Sequence, residues 1–469
     1  MTDRKTKIIA TVGPATDSPE MLEKMILAGV NIFRINMSHS KEDTCREIVA
    51  NIRKISSACN KVVGILMDAQ GPAIRTAETE TSLELEQGET VALTVRGEVV
   101  EGIKNIGVNY DDLVNDLSEG DTVIVDNGII HLKVLSKKGN VLHCEVLTAG
   151  TLGSRKHINL PGVRVNLPAL TEKDMTDIAL GIELKVDFIA MSFVREASDV
   201  TKLRGILDYK KAPQKIIAKI EDQQGIKNID AIIEVADAIM VARGDLGIEV
   251  SYEELPIIQR RVVKHCILQG KPVIVATHML ESMIENPSPT RAEITDVANA
   301  IYEQCDAIML SGETSIGKYP EKCVEVMDRM ARRIERSGGA DYTEQISPSS
   351  NRSKMMKNAC SMAEDLDAAL VVFTQTGRMS RYASWFRPQC NRIFCFTNNA
   401  VLINQLSLFW GLNPFLIDFD EADPSVNGET ATRILKDKGL LESGDLIVVV
   451  TDLMVQGSMV ETVQMREVK

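Results

Sequence analysis

Eight short apolar runs, each followed by a stretch whose apolar residues recur at helical spacing, constrain the fold of this chain most strongly. Alternation of such runs with helices is typical of parallel strands joined by crossover helices. The runs lie at residues 7–12, 31–35, 62–67, 187–192, 215–220, 238–241, 272–277 and 307–311. Eight units of this kind predict an α/β fold with a closed (β/α)8 barrel, a TIM barrel.

The regular spacing is interrupted once, between the third and fourth runs. Residues 72–168 have a different texture, with alternating runs at 90–95, 121–126, 129–135 and 141–147 between glycine and charged turns. Alternation with period two predicts antiparallel strands, so we expect a small inserted β-barrel domain that acts as a lid. Without it, residues 1–71 and 169–338 have about the length of a typical barrel of roughly 250 residues.

Residues 339–469 form a third region. It begins with a polar stretch and then returns to strand-like runs at 369–374, 392–397, 413–417, 445–451 and 461–468. Helix-like segments separate most of these runs, which predicts an open α/β sheet. We expect this region to fold as a separate C-terminal domain.

Charge and composition exclude several classes of function. A net charge of −13 without a Lys or Arg stripe argues against nucleic acid or an anionic membrane as the partner. No apolar run approaches the roughly 20 residues that cross a bilayer, and the first residues lack the pattern of a signal peptide. The nine cysteines are scattered without metal-ligand spacing, as expected of reduced thiols. We therefore expect a cytoplasmic protein.

Polar side chains follow the predicted strands at their carboxyl ends, where barrel enzymes hold their catalytic groups. In strand order they are Arg34, Asn36, Ser38 and His39; Asp68 and Arg75; Ser192; Lys219 and Glu221; Arg243, Gly244 and Asp245; Thr277; and Ser311 and Glu313. Each one alone is more simply explained as a helix cap or an ion pair. Because residues that serve only stability have no reason to accumulate at one end of nearly every strand, we expect a shared site.

Two carboxylates and one lysine in this set indicate metal-assisted phosphoryl transfer. Glu221 and Asp245 offer hard oxygen ligands to Mg²⁺ or Mn²⁺, and Mg²⁺ typically takes one or two carboxylates and completes its shell with substrate and water. Lys219 lies two residues before Glu221, so both side chains point to the same side of an extended strand. Its ammonium would stabilise a phosphoryl group in transit. The alternative is a structural Lys–Glu pair.

An anionic substrate also requires local basic groups in a chain of net negative charge. Arg34 and Arg75 suit phosphate because their donors form a fork. Lys156, near the end of the insertion, would reach the barrel mouth if that domain closes. The stretch ARGDLG at 242–247 adds backbone N–H groups held by glycine as an anion cradle.

The sequence resembles the pyruvate kinase family in a series of ordered stretches that span all three regions. They read KIIATVGPAT, FRINMSHS, DAQGPAIRT, INLPGV, LPALTEKD, AMSFVREASDV, AKIED, IMVARGDLGIE, ATHMLESM, PTRAEITDVANAI and LSGETSIGKYP. The resemblance implies transfer of the phosphoryl group of phosphoenolpyruvate to ADP, giving pyruvate and ATP in the last step of glycolysis. It also implies a homotetramer.

Residue by residue, the resemblance implies roles for the members of the site. It makes Glu221 and Asp245 the Mg²⁺ ligands, and Lys219, Thr277 and Arg34 the catalytic residues, Thr277 with a water being one candidate for proton delivery. The phosphoenolpyruvate side would be held by Arg34, Lys219, Ala242, Arg243, Gly244, Asp245 and Thr277. Contacts to the nucleotide and its phosphates are implied for Arg34, Asn36, His39, Arg75 and Lys156. A K⁺ site is implied for Asn36, Ser38, Asp68 and the carbonyl of Ala69.

The chain departs from the commonest family pattern beside the implied K⁺ site. DAQGPAIRT at 68–76 replaces DTKGPEIRT, so Ala69, Gln70 and Ala73 stand where Thr, Lys and Glu are usual. Members with Glu at the position of Ala73 tend to need K⁺ and those with Lys tend not to, so Ala leaves the requirement open. Asn127 stands where the lid often carries Asp. The metal ligands and Lys219 are intact, and we expect activity.

The third region resembles the allosteric domain of the same family. TQTGR at 374–378 follows a predicted strand and precedes a predicted helix, and its hydroxyls, N–H groups and Arg suit a phosphate. We expect a phosphorylated effector there, bound by Thr374, Thr376, Gly377 and Arg378. Met379 stands where sugar-phosphate-responsive members often have Ser. The alternative is a capped helix start without a ligand.

Two other functions stay open from the sequence. A Mg²⁺-dependent aldolase or lyase would share the acidic pair, but it has no need of the Arg34 and Arg75 pair or of Lys156. A catalytically inactive regulator that binds metabolites is supported only by Gln70 and Asn127.

Overall fold

The first three strands of the barrel alternate with two helices, as predicted. The computed structural model describes residues 4–390, 392–420, 424–455 and 458–469. The elements are β1 (Lys7–Thr11), α1 (Pro19–Ala28), β2 (Ile32–Asn36), α2 (Glu42–Ala58) and β3 (Gly64–Asp68). The Ser18 side chain accepts a hydrogen bond from the Met21 N–H and caps α1, which ends at Gly29 with a φ of 118°.

The inserted segment folds into two small sheets around one apolar core. Its elements are β4 (Leu83–Leu85), β5 (Thr90–Thr94), β6 (Lys104–Gly107), α3 (Leu113–Asp116), β7 (Thr122–Val125), β8 (Ile130–Lys138), β9 (Val141–Val146), β10 (Gly150–Leu152) and β11 (Ile158–Asn159). Six strands pair in the order β11-β7-β8-β9-β5-β6, and β10 pairs with β4. All eight strands contribute to the core. The pairing is antiparallel, as predicted, except between β5 and β6.

The chain then returns to the barrel and completes it. The elements are α4 (Glu172–Glu183), β12 (Phe188–Met191), α5 (Ala197–Tyr209), β13 (Lys215–Ile220), α6 (Gln223–Lys227), α7 (Ile229–Val235), β14 (Ala238–Ala242), α8 (Arg243–Glu249), α9 (Leu255–Gln269), β15 (Val273–Ala276), α10 (Arg291–Tyr302), β16 (Ala307–Leu310), α11 (Gly312–Ser315) and α12 (Pro320–Glu335). The closed order is β1-β16-β15-β14-β13-β12-β3-β2. Each predicted run overlaps one of these strands, and the predicted barrel is confirmed.

The C-terminal region is the predicted open α/β sheet. Its elements are α13 (Asn351–Asp365), β17 (Ala369–Phe373), α14 (Arg378–Trp385), β18 (Ile393–Thr397), α15 (Ala400–Gln405), β19 (Leu412–Leu416), α16 (Pro424–Asp437), β20 (Leu446–Val455) and β21 (Ser458–Glu467). The strand order is β19-β18-β17-β20-β21, parallel except for the last pair. The domain limits at 71/72, 168/169 and 338/339 stay a prediction.

The C-terminal domain closes the amino end of the barrel. Leu408 joins the apolar cluster inside the barrel, which includes Ile9 and Phe188. Arg387 Nη2 lies 2.6 Å from Asp306 Oδ2, and both side chains are buried. An apolar contact and a buried ion pair therefore fix the two domains against each other at the end opposite the predicted site.

The nine cysteines are free thiols, eight of them buried, in agreement with the sequence. In the part of the chain that the structure describes, no helix is long and apolar enough to cross a membrane.

Candidate functional site

One buried lysine joins the carboxyl ends of three neighbouring strands. Lys219 Nζ lies 2.9 Å from Glu221 Oε1 and 3.3 Å from Asp68 Oδ1. It also donates a 2.7 Å hydrogen bond to Ser192 Oγ, which follows β12. Since β3, β12 and β13 are adjacent in the barrel, parallel topology brings these residues together, as the sequence predicts.

Two acids keep this lysine charged. Burial alone would lower the pKa of Lys219, but the Asp68 and Glu221 carboxylates outweigh it and hold that pKa above its usual range. Burial would likewise raise the pKa of Asp68, but the Lys219 and Arg34 cations outweigh it and lower that pKa. The mouth therefore contains a fixed ammonium whose charge is available to an anionic group.

Arg34 extends this ionic cluster toward the first two strands. Its Nε lies 2.7 Å from Asp68 Oδ2, and its Nη1 donates a 3.1 Å hydrogen bond to Thr11 Oγ1. The guanidinium is thus held in one orientation at the mouth, beside the Lys219 ammonium.

Glu221 and Asp245 lie close enough to influence each other. Burial and then the Asp245 and Asp68 charges raise the pKa of Glu221 to about 7, although Lys219 opposes this. Glu221 Oε2 accepts a 2.7 Å hydrogen bond from the Phe193 N–H. Its Oε1 is buried and pairs with the Lys219 ammonium at 2.9 Å. A carboxylate whose charge is destabilised by burial and by neighbouring acids suits contact with a cation.

The end of β15 contributes Thr277 in a strained conformation. Thr277 has a φ of 68°, uncommon for a β-branched residue, and His278 follows with 53°. The Thr277 Oγ1 accepts a 2.7 Å hydrogen bond from the Gly244 N–H and donates a 2.6 Å bond to the Ala276 carbonyl. The start of α8 and the end of β15 are therefore joined through Thr277, which the sequence places at the substrate side.

The Arg243 side chain turns out to bind the scaffold. Its Nη2 donates a 2.7 Å hydrogen bond to the Thr277 carbonyl, and its Nη1 lies 2.7 Å from Asp296 Oδ1. Its Nε donates to the Ala276 carbonyl at 3.3 Å. The guanidinium holds the strained end of β15 in place, so a contribution of Arg243 to substrate would come from its main chain.

The residues implied in K⁺ binding lie side by side. Asn36 and Asp68 are register partners at the ends of β2 and β3. Asn36 Oδ1 accepts a 3.1 Å hydrogen bond from the Ser38 N–H. The Ala69 carbonyl accepts a 2.8 Å bond from Ser192 Oγ. These oxygens share the floor of the mouth with the Lys219 cluster.

The predicted nucleotide contacts divide between the barrel and the insertion. His39 is exposed after β2, and Arg75 lies at the start of the insertion, where its Nη1 donates a 3.1 Å hydrogen bond to the Arg155 carbonyl. Lys156 Nζ lies 2.9 Å from Asp126, also in the insertion. The Lys156 ammonium is therefore paired with a carboxylate of the insertion itself.

Two family models together cover most of the chain. One, described as the pyruvate kinase barrel domain, matches residues 3–324, and one described as the pyruvate kinase alpha/beta domain matches residues 353–464. The chain belongs to the pyruvate kinase family. Pyruvate kinases of Staphylococcus epidermidis and Staphylococcus saprophyticus are 40% and 42% identical to it over 461 and 463 residues, covering 95% of this chain and 77% of each relative.

A solved structure agrees with this family assignment. The crystal structure of a pyruvate kinase from Cryptosporidium parvum matches this chain with a TM-score of 0.93 and 33% identity, covering 100% of this chain and 97% of the other. The chain is accordingly a phosphotransferase of the pyruvate kinase type. The resemblance and the fold class predicted from the sequence are confirmed.

Three residues of the candidate site were not predicted from the sequence. Phe193 has a φ of 53°, donates its N–H to Glu221 and places its ring 5.7 Å from the His157 ring. The His157 Nδ1 lies 3.9 Å from Asp245 Oδ1. Asp126 supplies a lid carboxylate one residue before Asn127. Each of the three had a local signal, since each directly adjoins a residue that the sequence singled out, namely Ser192, Lys156 or Asn127.

Glu313, which the sequence places at the mouth, has a structural role. Its Oε2 accepts a 2.7 Å hydrogen bond from the Ser311 N–H, and its Oε1 accepts a 3.0 Å bond from the Leu280 N–H. Both carboxylate oxygens accept hydrogen bonds from main-chain N–H groups, so a purely structural role explains this residue.

The TQTGR segment of the C-terminal pyruvate kinase domain lines a separate cavity of about 540 Å³. Thr374, Thr376 and Arg378 face it from the loop between β17 and α14, and Gly377 gives that loop its turn with a φ of 83°. The opposite wall includes Asp420 and Glu461. The loop therefore has room for a ligand at the predicted place.

Proposed function

We propose that this chain transfers the phosphoryl group of phosphoenolpyruvate to ADP, giving pyruvate and ATP. The observation that carries the proposal is the charged Lys219 ammonium held between Glu221, Asp68 and Ser192 at the barrel mouth. Phosphoryl transfer depends mainly on positioning and on stabilising charge as it moves between oxygens. A fixed cation in a buried site supplies that stabilisation without reorganisation at the moment of transfer.

Glu221 and Asp245 fit a divalent cation, Mg²⁺ or Mn²⁺. The Glu221 carboxylate is buried, and burial and the Asp245 charge raise its pKa. Among the described residues no three His, Cys, Asp or Glu side chains form a complete metal cage. Two carboxylates that leave the remaining positions to substrate and water are typical of Mg²⁺. When bound, the cation supplies positive charge that polarises phosphate and enolate oxygens.

Phosphoenolpyruvate would lie between the Lys219 cluster and the start of α8, which follows β14 directly. In this arrangement Arg34 and Lys219 hold the phosphate, while the main chain of Ala242, Arg243 and Gly244 faces the carboxylate. Thr277 lies beside them because its hydroxyl is fixed to the Gly244 N–H. A hydroxyl at this position suits proton delivery to the enolate carbon, through a water.

ADP would enter from the side of the insertion. Asn36 and His39 lie on the barrel rim, and Arg75 and Lys156 lie on the lid. Lys156 would exchange its Asp126 contact for the nucleotide phosphates when the lid closes. K⁺, bound by Asn36, Ser38, Asp68 and the Ala69 carbonyl, would add positive charge beside the phosphates.

Replacement of Lys219 by Met tests the proposed function. Lys219→Met is expected to lower kcat by about 10²- to 10³-fold, the usual effect of losing one group that stabilises the transition state. The measurement is ADP-dependent pyruvate release with Mg²⁺ and K⁺, which an aldolase or lyase does not show. Lys54→Met, on the exposed side of α2, is the matched control. Wild-type turnover of Lys219→Met contradicts the assignment, and an inactive wild-type enzyme favours the regulator.

A phosphorylated metabolite is proposed as the effector of the C-terminal domain. Thr374, Thr376 and Arg378 line the 540 Å³ cavity, Gly377 shapes the turn between them, and Arg378 provides the cation that a phosphate requires. The resemblance to the family further supports a homotetramer in the cytoplasm. Light scattering on the purified protein tests the assembly.

A further inference from the structure

A second cavity lies at the amino end of the barrel, opposite the catalytic mouth. It measures about 350 Å³ and lies between the barrel and the C-terminal domain, open to solvent on one side. On the barrel side Phe188, Lys215 and Ala238 line it at the starts of β12, β13 and β14. The other wall is formed by the first turn of α14 and by side chains between 399 and 409. Nothing in the proposed reaction uses this space.

The floor of the cavity is apolar. Phe188 and Leu408 are 1% exposed and Leu406 is fully buried, and all three line the space. Phe188 and Leu408 also belong to the cluster that fills the inside of the barrel. A concave apolar lining with a few polar groups at its edge is the usual form of a site for a small organic molecule.

The charged groups around the cavity are mostly cations. Lys215 and Arg381 line it, together with one acid, Asp237. The carboxylate of Asp237 binds Arg204, and Lys215 Nζ lies 3.8 Å from it. The pKa of Lys271 is lowered by burial and further by Arg381 and Arg204, so these cations lie within electrostatic range. In a chain of net charge −13, two lining cations and one lining carboxylate give the cavity a local excess of positive charge.

Arg381 is exposed at the edge of the cavity. Its guanidinium makes no hydrogen bond or ion pair with any residue in the ranges described by the structure, in contrast to Arg387 on the same side of the domain, which is paired with Asp306. A forked donor at the edge of an apolar cavity is suited to a carboxylate, sulfonate or phosphate.

We propose that this cavity binds a small amphipathic anion, with its apolar ring or chain on the floor of Phe188, Leu406 and Leu408 and its anionic group between Arg381 and Lys215. The ligand would contact both domains at once. It would touch β13 at Lys215, the strand that carries Lys219 to the active site. It would also touch Thr376, which lines the neighbouring TQTGR cavity. A ligand in this cavity would therefore contact both the strand that carries Lys219 and a residue of the TQTGR cavity.

A pair of fluorescent probes tests the proposal. 8-Anilinonaphthalene-1-sulfonate carries a ring system and one anionic group, and N-phenyl-1-naphthylamine has the same rings without the sulfonate. We expect one sulfonate-probe site per chain in which Arg381→Gln and Lys215→Gln each raise Kd about tenfold, the equivalent of about 1.4 kcal/mol for a charge-assisted contact. The uncharged probe should bind both variants as it binds the wild type. Saturating ADP, Mg²⁺ and phosphoenolpyruvate should not displace either probe.

Two further variants control for location and charge. Arg329→Gln removes an exposed arginine on α12, outside the cavity, and should leave Kd unchanged. Val401→Trp fills the rim and should abolish binding of both probes. Equal Kd values for Arg381→Gln and Arg329→Gln, displacement by ADP, or unchanged binding to Val401→Trp would each overturn the proposal. All variants are expected to retain wild-type kcat, because none of these residues lies at the catalytic mouth.

Discussion

Replacing Arg387 with Met should loosen the C-terminal domain from the barrel. Arg387 Nη2 lies 2.6 Å from Asp306 Oδ2, and the two side chains are only 4% and 1% exposed. Arg387 also donates hydrogen bonds of 3.0 and 3.2 Å to Ser384. Met has a similar reach without the charge, so the substitution removes the pair and leaves the Asp306 carboxylate buried.

The size of the expected loss in stability depends on the hydrogen bonds that Asp306 retains. Removing one partner of a buried ion pair typically costs about 3–5 kcal/mol, because the other charge stays desolvated. Here the Trp410 and Val273 N–H groups still donate to Asp306, each at 3.0 Å. Those donors place the expected loss at the lower end, about 3 kcal/mol, or a factor of roughly 10² in the opening equilibrium of this interface.

Tryptophan fluorescence reads this interface directly. The chain has two tryptophans, and both lie here: the Trp385 Nε1 donates to the Ile267 carbonyl at 2.7 Å, and the Arg387 guanidinium lies 5.2 Å from the Trp410 ring centroid. The measurement is the guanidinium chloride transition of Trp fluorescence for wild type and Arg387→Met. Adding Asp306→Asn to the variant should restore part of the loss, because no unpaired charge then remains.

A loss below about 1 kcal/mol would refute this reasoning, since it would mean that the buried carboxylate finds water or another cation. A double variant no more stable than Arg387→Met would refute it as well. Arg46→Met, which breaks an exposed pair with Glu183, is the control and should leave the transition in place.

Two further predictions concern regulation and pH. Arg378→Ala should abolish activation by phosphorylated metabolites while leaving basal kcat intact, because the residue lines the 540 Å³ cavity far from Lys219; a steady-state assay with a panel of sugar phosphates checks this, and unchanged activation would remove the effector site. Burial raises the pKa of Glu249 to about 7 from an ordinary 4.5, so its stabilising contribution is present below about pH 4.5 and is lost as pH rises through 7. Glu249→Gln should therefore gain thermal stability over the wild type between pH 5 and pH 8, followed by circular dichroism; equal pH slopes for the two proteins would contradict this assignment.

The grouping of Lys219, Glu221 and Asp68 was predictable because it follows from topology. In a parallel barrel every strand ends at the same mouth, so polar residues at strand ends must meet whatever their separation along the chain. Glu221 and Lys219 needed only the two-residue period of one strand. Asp68 required in addition that β3 and β12 be neighbours, which the closed order provides.

Other features depended on contacts that no local pattern encodes. The Arg243 guanidinium binds the Thr277 carbonyl and Asp296, and the Lys156 ammonium binds Asp126. A sequence shows that a cation is present, but its partner is set by packing between segments far apart in the chain. The short strands β4, β6, β10 and β11 were missed because a run of two to four residues carries too little periodicity.

The order of polar and apolar residues by itself determined the alternation of strands and helices, the closed barrel, the inserted domain and the set of residues at the mouth. Tertiary structure alone decided which way each side chain in that set faces, the left-handed Phe193 that donates to Glu221, and the cavity between Lys215 and Arg381. The physical reason is the distance along the chain over which each effect acts. Periodicity and turn chemistry act over a few residues, whereas side-chain pairing and enclosed space arise only when distant segments pack together.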